Sequence, residues 1–366
     1  MRPALSTRRA TAPAREAAPR RAGSGQRVLR WGSAVALPVH PRSLLVAAVL
    51  LALLLAAAAA TLTLGRLGIP LTRLPAVIAG AGEATETFVL DRLRGPRLTV
   101  AAGTGAALGL AGALFQSVTR NPLGSPDVIG LGAGAGAGAA IAALALPGIV
   151  PVPLGALGGA ALAMLIVATA TGTGLRHPGR LIVAGIGVAA MAHAVSDFVV
   201  AVMARDQASV LHAYLYGSLG ARSWEHAGII WGVLALAVPV VVVLAGAVAV
   251  NEMGDELADA LGGRARSTRT AAIALSVVLT AAAVSVAGPI AFVALTAPQI
   301  ARRMTGASGP NMAVAAVVGA LLLVLADLAV QQSPIGDGLP VGLFTMGLGG
   351  VYLGYLLIRE WRKGNL

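Results

Sequence analysis

Thr270 to Arg303 reads TAAIALSVVLTAAAVSVAGPIAFVALTAPQIARR, and the number of times this stretch crosses a membrane decides the fold. As one helix its 34 residues would extend about 51 Å, too long for a single crossing of a hydrocarbon core of roughly 30 Å. Gly288-Pro289 and Pro298 interrupt it. Charge decides the reading: Arg264, Arg266 and Arg269 precede the stretch, and Arg302 and Arg303 close it. Basic residues gather on the cytoplasmic side, so placing all five there needs an even number of crossings. Two helices joined by a tight turn at Gly288-Pro289 are predicted.

Working outward, apolar runs recur at Ser43–Thr63, Leu98–Phe115, Val128–Leu146, Val152–Thr171, Leu181–Ala204 and Ala227–Val250. After the pair Thr270–Val286 and Ile290–Ala301 come Met312–Val330 and Pro340–Ile358. The chain is 57% hydrophobic and 11% charged, so its apolar surface cannot hide in one water-soluble core. The expected fold is an all-α polytopic membrane protein of about ten spans, filling residues 43–360. Residues 1–42 carry nine arginines without apolar periodicity and read as a disordered cytoplasmic tail, and residues 361–366 as a second short tail.

With both termini cytoplasmic, 20 of the 27 basic residues fall on the cytoplasmic side. Arg66, Arg73, Arg92, Arg94, Arg97, Arg205 and Arg222 remain outside. The net charge of +12 therefore describes insertion, and no nucleic-acid partner is expected. Cysteine is absent, which excludes disulfides and thiolate metal sites. Lys363 is the only lysine, and no glycine-rich phosphate loop precedes it. If nucleotide hydrolysis drives this chain, a partner performs it.

The spans are rich in small residues, as at Gly132, Gly134, Gly136 and Gly138, which suits close helix packing where lipid gives helices no hydrophobic drive to associate. Leu110-Ala-Gly112 and Val286-Ala-Gly288 lie 176 residues apart, as do Pro122 and Pro298, and Gly130 and Gly306. Five spans per half would make such a repeat inverted across the membrane.

The polar stretch 251–269 contains Met253-Gly-Asp-Glu-Leu-Ala-Asp-Ala-Leu-Gly262, which reads as a short amphipathic helix whose apolar face needs a partner. Its acids disfavour an anionic lipid surface and favour a cytoplasmic protein. Arg92, Arg94 and Arg97 cluster outside, suiting either helix anchoring or an acidic partner. Within spans, His193 and Asp197 share a helix face, and Asp327 stands alone; such residues could relay protons or serve packing. No catalytic motif occurs, and the histidines show no metal-ligand spacing beyond His212 and His226, which flank a loop.

Arg94-Gly-Pro-Arg97-Leu, Leu110-Ala-Gly-Ala-Leu-Phe-Gln116, Asn121-Pro-Leu-Gly-Ser-Pro-Asp-Val-Ile-Gly130, Arg180-Leu-Ile-Val-Ala-Gly185, Gly254-Asp-Glu-Leu-Ala-Asp-Ala-Leu-Gly262, Gly288-Pro-Ile-Ala-Phe-Val and Leu339-Pro-Val-Gly342 occur in order from about residue 43 to 360. Together they resemble the FecCD-type permeases of bacterial ATP-driven importers for iron-siderophore complexes, haem and vitamin B12. The wording around Gln116–Asp127, Gly217-Ser-Leu and Ala297-Pro-Gln299 is most similar to permeases that pair with a second, different permease for ferric catecholate siderophores.

The resemblance implies two inverted five-helix halves in the type II importer fold and a non-catalytic subunit in the cytoplasmic membrane. Its implied partners are a second permease, two ATPase subunits that bind ATP and magnesium, and an extracytoplasmic siderophore-binding protein. Coupling to the ATPase would fall on Glu252, Met253, Gly254, Asp255, Leu257, Ala258, Leu261 and Gly262, and binding-protein docking on Arg94 and Arg97. The cytoplasmic gate would fall on His177, Pro178 and Gly179, and the translocation path on Gln116, Asn121, Pro122 and Pro298. Two departures stand out: Gln331 occupies a place where some relatives carry an arginine, and the basic tail is long. The rival reading is a proton-coupled secondary transporter using His193, Asp197 and Asp327.

Overall fold

The computed structural model describes residues 27–31, 35–39, 41–65, 67–172, 178–306, 309–333 and 339–362. Seven helical stretches among them are long and apolar enough to cross a membrane. These are α1 (Pro41–Thr63), a run that ends in α4 (Gly95–Thr119), α6 (Val152–Ala170), α7 (Pro178–Val202), α9 (Trp224–Asn251), α11 (Ala265–Ala287) and α13 (Met312–Gln332). Two shorter apolar segments, α5 (Leu131–Ala145) and the stretch Val341–Tyr355 of α14 (Val341–Arg362), bring the total to nine.

The tenth is α12 (Val293–Thr305), and it settles the opening question as the charges required. α11 ends at Ala287, Gly288 follows at φ 74° and ψ 177°, and α12 begins after Phe292. A Cβ on Gly288 would lie 2.1 Å from the Tyr214 carbonyl oxygen, so both the turn and the close approach demand glycine. The 13 residues of α12 rise only about 20 Å, less than a hydrocarbon core.

Three features depart from the sequence reading. Within the tail expected to be disordered, β1 (Arg27–Trp31) pairs antiparallel with β2 (Val35–Val39), which lies against α9. β1 carries Val28, Leu29 and Trp31 and β2 reads Val-Ala-Leu-Pro-Val, residues whose β-branched and aromatic members suit a ladder. Between α1 and α4 the chain forms α2 (Leu74–Ile78), α3 (Ala84–Phe88) and a π-helical turn, Val89–Arg94, that runs into α4. After α7 comes α8 (Arg205–Leu215), whereas the six-residue α10 (Asp255–Ala260) after α9 is the short helix expected within Met253–Gly262.

Five of these helices, α1, α4, α5, α6 and α7, precede α8 and five, α9, α11, α12, α13 and α14, follow it; an odd number of crossings in the first half sets the second in the opposite direction, as two inverted halves require. The match at 176 residues does not survive as a residue register, because Gly112 lies inside α4 whereas Gly288 caps α11.

α4 is the hub, packing on α9, α11, α12 and α13. Its glycines explain the closeness. A Cβ on Gly105 would stand 2.3 Å from the Gly319 carbonyl oxygen, and one on Gly319 would stand 2.1 Å from that of Gly105. Likewise Gly138 and Gly159 bring α5 and α6 into backbone contact. Gly319→Val is expected to destabilise the bundle by about 3 kcal/mol, because backbone on both sides must separate. Recovery of a monodisperse detergent-solubilised chain measures this, with Gly347→Ala, where nothing lies within 4 Å, as the tolerated comparison.

The bundle has two chemically distinct ends. At the α10 end lie Arg42, Arg120, Arg269 and Arg302, with Arg42 Nε donating to the Met304 carbonyl across 3.1 Å. At the α3 end lie Arg73, Arg94 and Arg97, and Trp224 Nε1 there donates to the Asp91 carbonyl at 2.8 Å. The grouping of arginines by end is the one the topology called for.

Candidate functional site

At the α10 end, α9 finishes at Asn251, whose buried Nδ2 donates to the Ala265 carbonyl at 3.0 Å. The Ala265 amide in turn donates to Asp259 Oδ1 at 3.2 Å, which caps the start of α11. Gly254 sits at φ 115° and ψ 154°, a conformation essentially reserved for glycine, and lets the chain turn sharply into α10. Ala258 is buried beneath α10. Met253, Leu257 and Leu261, spaced four apart, are 62%, 44% and 62% exposed and form a bare apolar strip.

Two ion-pair assemblies hold this strip in place. Asp255 accepts from Arg269 Nη2 at 2.5 and 2.7 Å and from Arg120 Nη2 at 2.5 Å. Arg120 caps α4 in a left-handed conformation, φ 52° and ψ 31°, and Arg269 lies in the second turn of α11. Glu252 accepts from Arg302 Nη2 at 2.7 Å, and the same nitrogen donates to Ser117 Oγ of α4 at 3.2 Å. The hydrogen bonds from Arg269, joined by the charge of Arg120, hold the Asp255 carboxyl below the usual carboxylate range. A depressed carboxylate contributes its stabilisation above the unfolded value and loses it as pH falls through the lowered one. The clamp is therefore closed at neutral pH.

At the α3 end both arginines assigned to docking are turned inward. Arg94 Nη1 donates to the Thr61 carbonyl at 2.8 Å and to that of Leu64, closing the end of α1. Arg97 forks onto Asp327, with Nε 3.0 Å from both carboxylate oxygens and Nη2 2.6 Å from Oδ1. Gln331 Nε2 donates to Asp327 Oδ2 at 2.7 Å, so this residue completes the buried pair. Arg73 is bound to Glu83 and Glu86. Arg92 is exposed, with no hydrogen bond or ion pair found among the described residues.

Of the residues assigned to the path, Gln116 is 1% exposed and Pro298 is buried in α12. Gln116 Nε2 donates to the Leu295 carbonyl at 2.9 Å, and Gln299 Nε2 donates to Gln116 Oε1 and the Pro122 carbonyl, each at 2.8 Å. These amides hold α4, α12 and the turn after α4 together. Asn121 and Pro122 are exposed at the same end. His177 lies outside the described residues, while Pro178 and Gly179 open α7 and Gly179 is exposed. An apolar groove of about 370 Å³ runs between α5, α6 and α7 past Gly138, Gly158, Leu162 and Met191, with no charged residue lining it.

Residues 49–359 match the profile of the FecCD transport family. The chain belongs to that family. Among its FecCD relatives, the ferric enterobactin transport system permease protein FepG of Escherichia coli is 37% identical, covering 82% of this chain and 91% of that one. The achromobactin transport system permease protein CbrC of Dickeya dadantii is 35% identical, covering 82% and 87%. The Fe(3+)-citrate import system permease protein YfmE of Bacillus subtilis is 33% identical, covering 75% and 84%. An inward-facing metal-chelate type ABC transporter shares the fold at a TM-score of 0.74 and 22% identity, covering 86% of this chain and 99% of that one. The chain is thus an integral-membrane transport permease, and the expected fold is borne out.

For this FecCD permease, the residues that sequence reading missed are Arg120, Arg269 and Arg302, which the topology argument counted only as charges. Their partners lie 135, 14 and 50 residues away, and only the 14-residue pair is near enough to suggest itself. The rival proton relay does not assemble. Asp327 is tied to Arg97, while His193 and Asp197 are exposed on α7 and no ion pair joins them to it among the described residues.

Proposed function

We propose that this chain is one permease subunit of an ATP-driven importer that carries ferric-siderophore complexes across the cytoplasmic membrane. The observation that carries the reading is the bare strip Met253, Leu257 and Leu261 along α10, a helix clamped through Asp255 to α4 and α11. An ATPase subunit docks on that strip and supplies the ATP and magnesium chemistry; this chain supplies none and holds no cofactor. Both termini and α10 face the cytoplasm, in line with the arginine grouping. The substrate class follows the relatives, whose names concern ferric enterobactin, achromobactin and ferric citrate.

A second, homologous permease completes the path, and two ATPases sit beneath the pair. His177, Pro178 and Gly179 narrow the exit, with Asn121 and Pro122 beside it and Gln116 and Pro298 stiffening the wall. At the α3 end an extracytoplasmic binding protein delivers the chelate. Arg94 and Arg97 shape that surface by fixing α1 and α13, and the exposed Arg92 offers the accessible cation. Closure of the ATPases on ATP displaces α10 and rocks the bundle between outward and inward openings.

Reconstitution with the co-expressed ATPase, the second permease and the binding protein tests this. Uptake of a ferric siderophore should require ATP; uptake without the ATPase, abolished by a protonophore, would instead favour a secondary transporter. Arg92→Glu is expected to raise the binding-protein concentration needed for half-maximal uptake about tenfold, equivalent to ~1.4 kcal/mol, with ATPase content unchanged. An unaltered concentration dependence would remove Arg92 from the docking surface.

A further inference from the structure

We infer that Asp255 is the positioning residue through which displacement of α10 reaches the transport helices. The inference rests on the docking reading above. Asp255 is the first residue of α10 and directly follows Gly254, whose φ of 115° forms the joint between α9 and α10. On the α9 side of that joint, Glu252 is anchored to α12 and α4 through Arg302 and Ser117. On the α10 side, the Asp255 carboxylate takes Arg120 from the end of α4 and Arg269 from the start of α11. Any tilt of α10 about Gly254 must therefore pull on α4 and α11 or break these contacts.

The other acids of α10 do not offer that connection. Asp259 reaches only the Ala265 amide at the start of α11 and not α4, and Glu256 is exposed without a partner found among the described residues. The receiving helices form a stiff unit. α4 and α11 pack together, and Ser276 Oγ of α11 donates to the Ala111 carbonyl at the centre of α4 across 2.8 Å. α4 in turn meets α9, α12 and α13, so a pull at its last turn reaches most of the bundle. Arg120 is suited to its place because the left-handed cap turns the chain out of α4 toward α10, at a conformational cost that a non-glycine residue seldom bears without a tertiary partner. Arg269 and Arg302 each keep a buried Nε without an acceptor among the described residues. Each guanidinium thus has a donor in reserve for a changed arrangement of the carboxylates.

The test uses the complete reconstituted importer and reads ferric siderophore taken up per ATP hydrolysed, a ratio independent of protein yield. Asp255→Asn should keep the ATPase bound and hydrolysing within about twofold of the parent while the ratio falls at least tenfold. Asp255→Glu, which restores the charge, should recover at least half of it. Arg120→Gln, which leaves the Arg269 contact in place, should also lower the ratio. Normal coupling in Asp255→Asn overturns the inference, and so does loss of the ATPase from that variant, which would make Asp255 a docking contact. Retention of the ATPase by Leu257→Asp would instead remove the docking reading itself, and the inference with it.

Discussion

Replacing Leu257 with aspartate is expected to strip the ATPase from the purified complex and to reduce ATP-driven uptake at least a hundredfold. The side chain is 44% exposed at the centre of the strip and makes no buried core contact that folding needs; Ala258 fills that role beneath it. Full burial of a leucine against a partner contributes about 1.5–3 kcal/mol, and an unpaired carboxylate forced into the same apolar pocket costs several more. Loss of ~3 kcal/mol alone corresponds to more than a hundredfold in affinity. Co-purification of tagged permease with its ATPase, beside uptake in the same membranes, gives the measurement. A variant that keeps both would show that α10 is not the docking element.

The fold was legible because its decisive signals are local. Gly288-Pro289 between arginine clusters specified a helix pair, and the structure places the turn there, with α11 ending at Ala287. Runs of alanine and glycine announced close packing, and Gly105 and Gly319 deliver it. What escaped notice is short or of mixed polarity. α2 and α3 have five residues each, too few for a periodic pattern to stand out, whereas the glycines and acids around the six-residue α10 mark it in the sequence. α12 is amphipathic, so a hydropathy reading recognises it only through its neighbours.

The candidate sites were legible to different degrees for a related reason. The α10 strip is contiguous in sequence, so its exposed face could be anticipated. By residue type and position Arg94 and Arg97 suit either helix anchoring or an acidic partner, and the family resemblance implies docking, yet their acceptors come from α1 and α13. A contact across 230 residues has no local signature. Gln331 illustrates the same limit: read alone it marks an absent arginine, whereas in space it finishes the hydrogen bonding of Asp327.

That buried pair carries the second large effect. Asp327 is 1% exposed within α13, and Arg97 supplies its only counter-charge among the described residues. Arg97→Leu leaves a carboxylate in an apolar bundle with Gln331 as its remaining polar neighbour, and is expected to destabilise the chain by about 3–5 kcal/mol. Arg97→Lys keeps the charge but not the planar fork, so an intermediate loss follows. The double variant Arg97→Leu with Asp327→Leu removes both charges and should recover most of the stability, because the cost lies in the unpaired ion more than in the absence of the pair. Thermal unfolding in detergent of the four chains completes the cycle. If Arg97→Leu unfolds with the parent but responds less to the binding protein, Arg97 acts at the docking surface that its sequence context implies; if it unfolds early and the double variant does not, its work is to join α4 to α13.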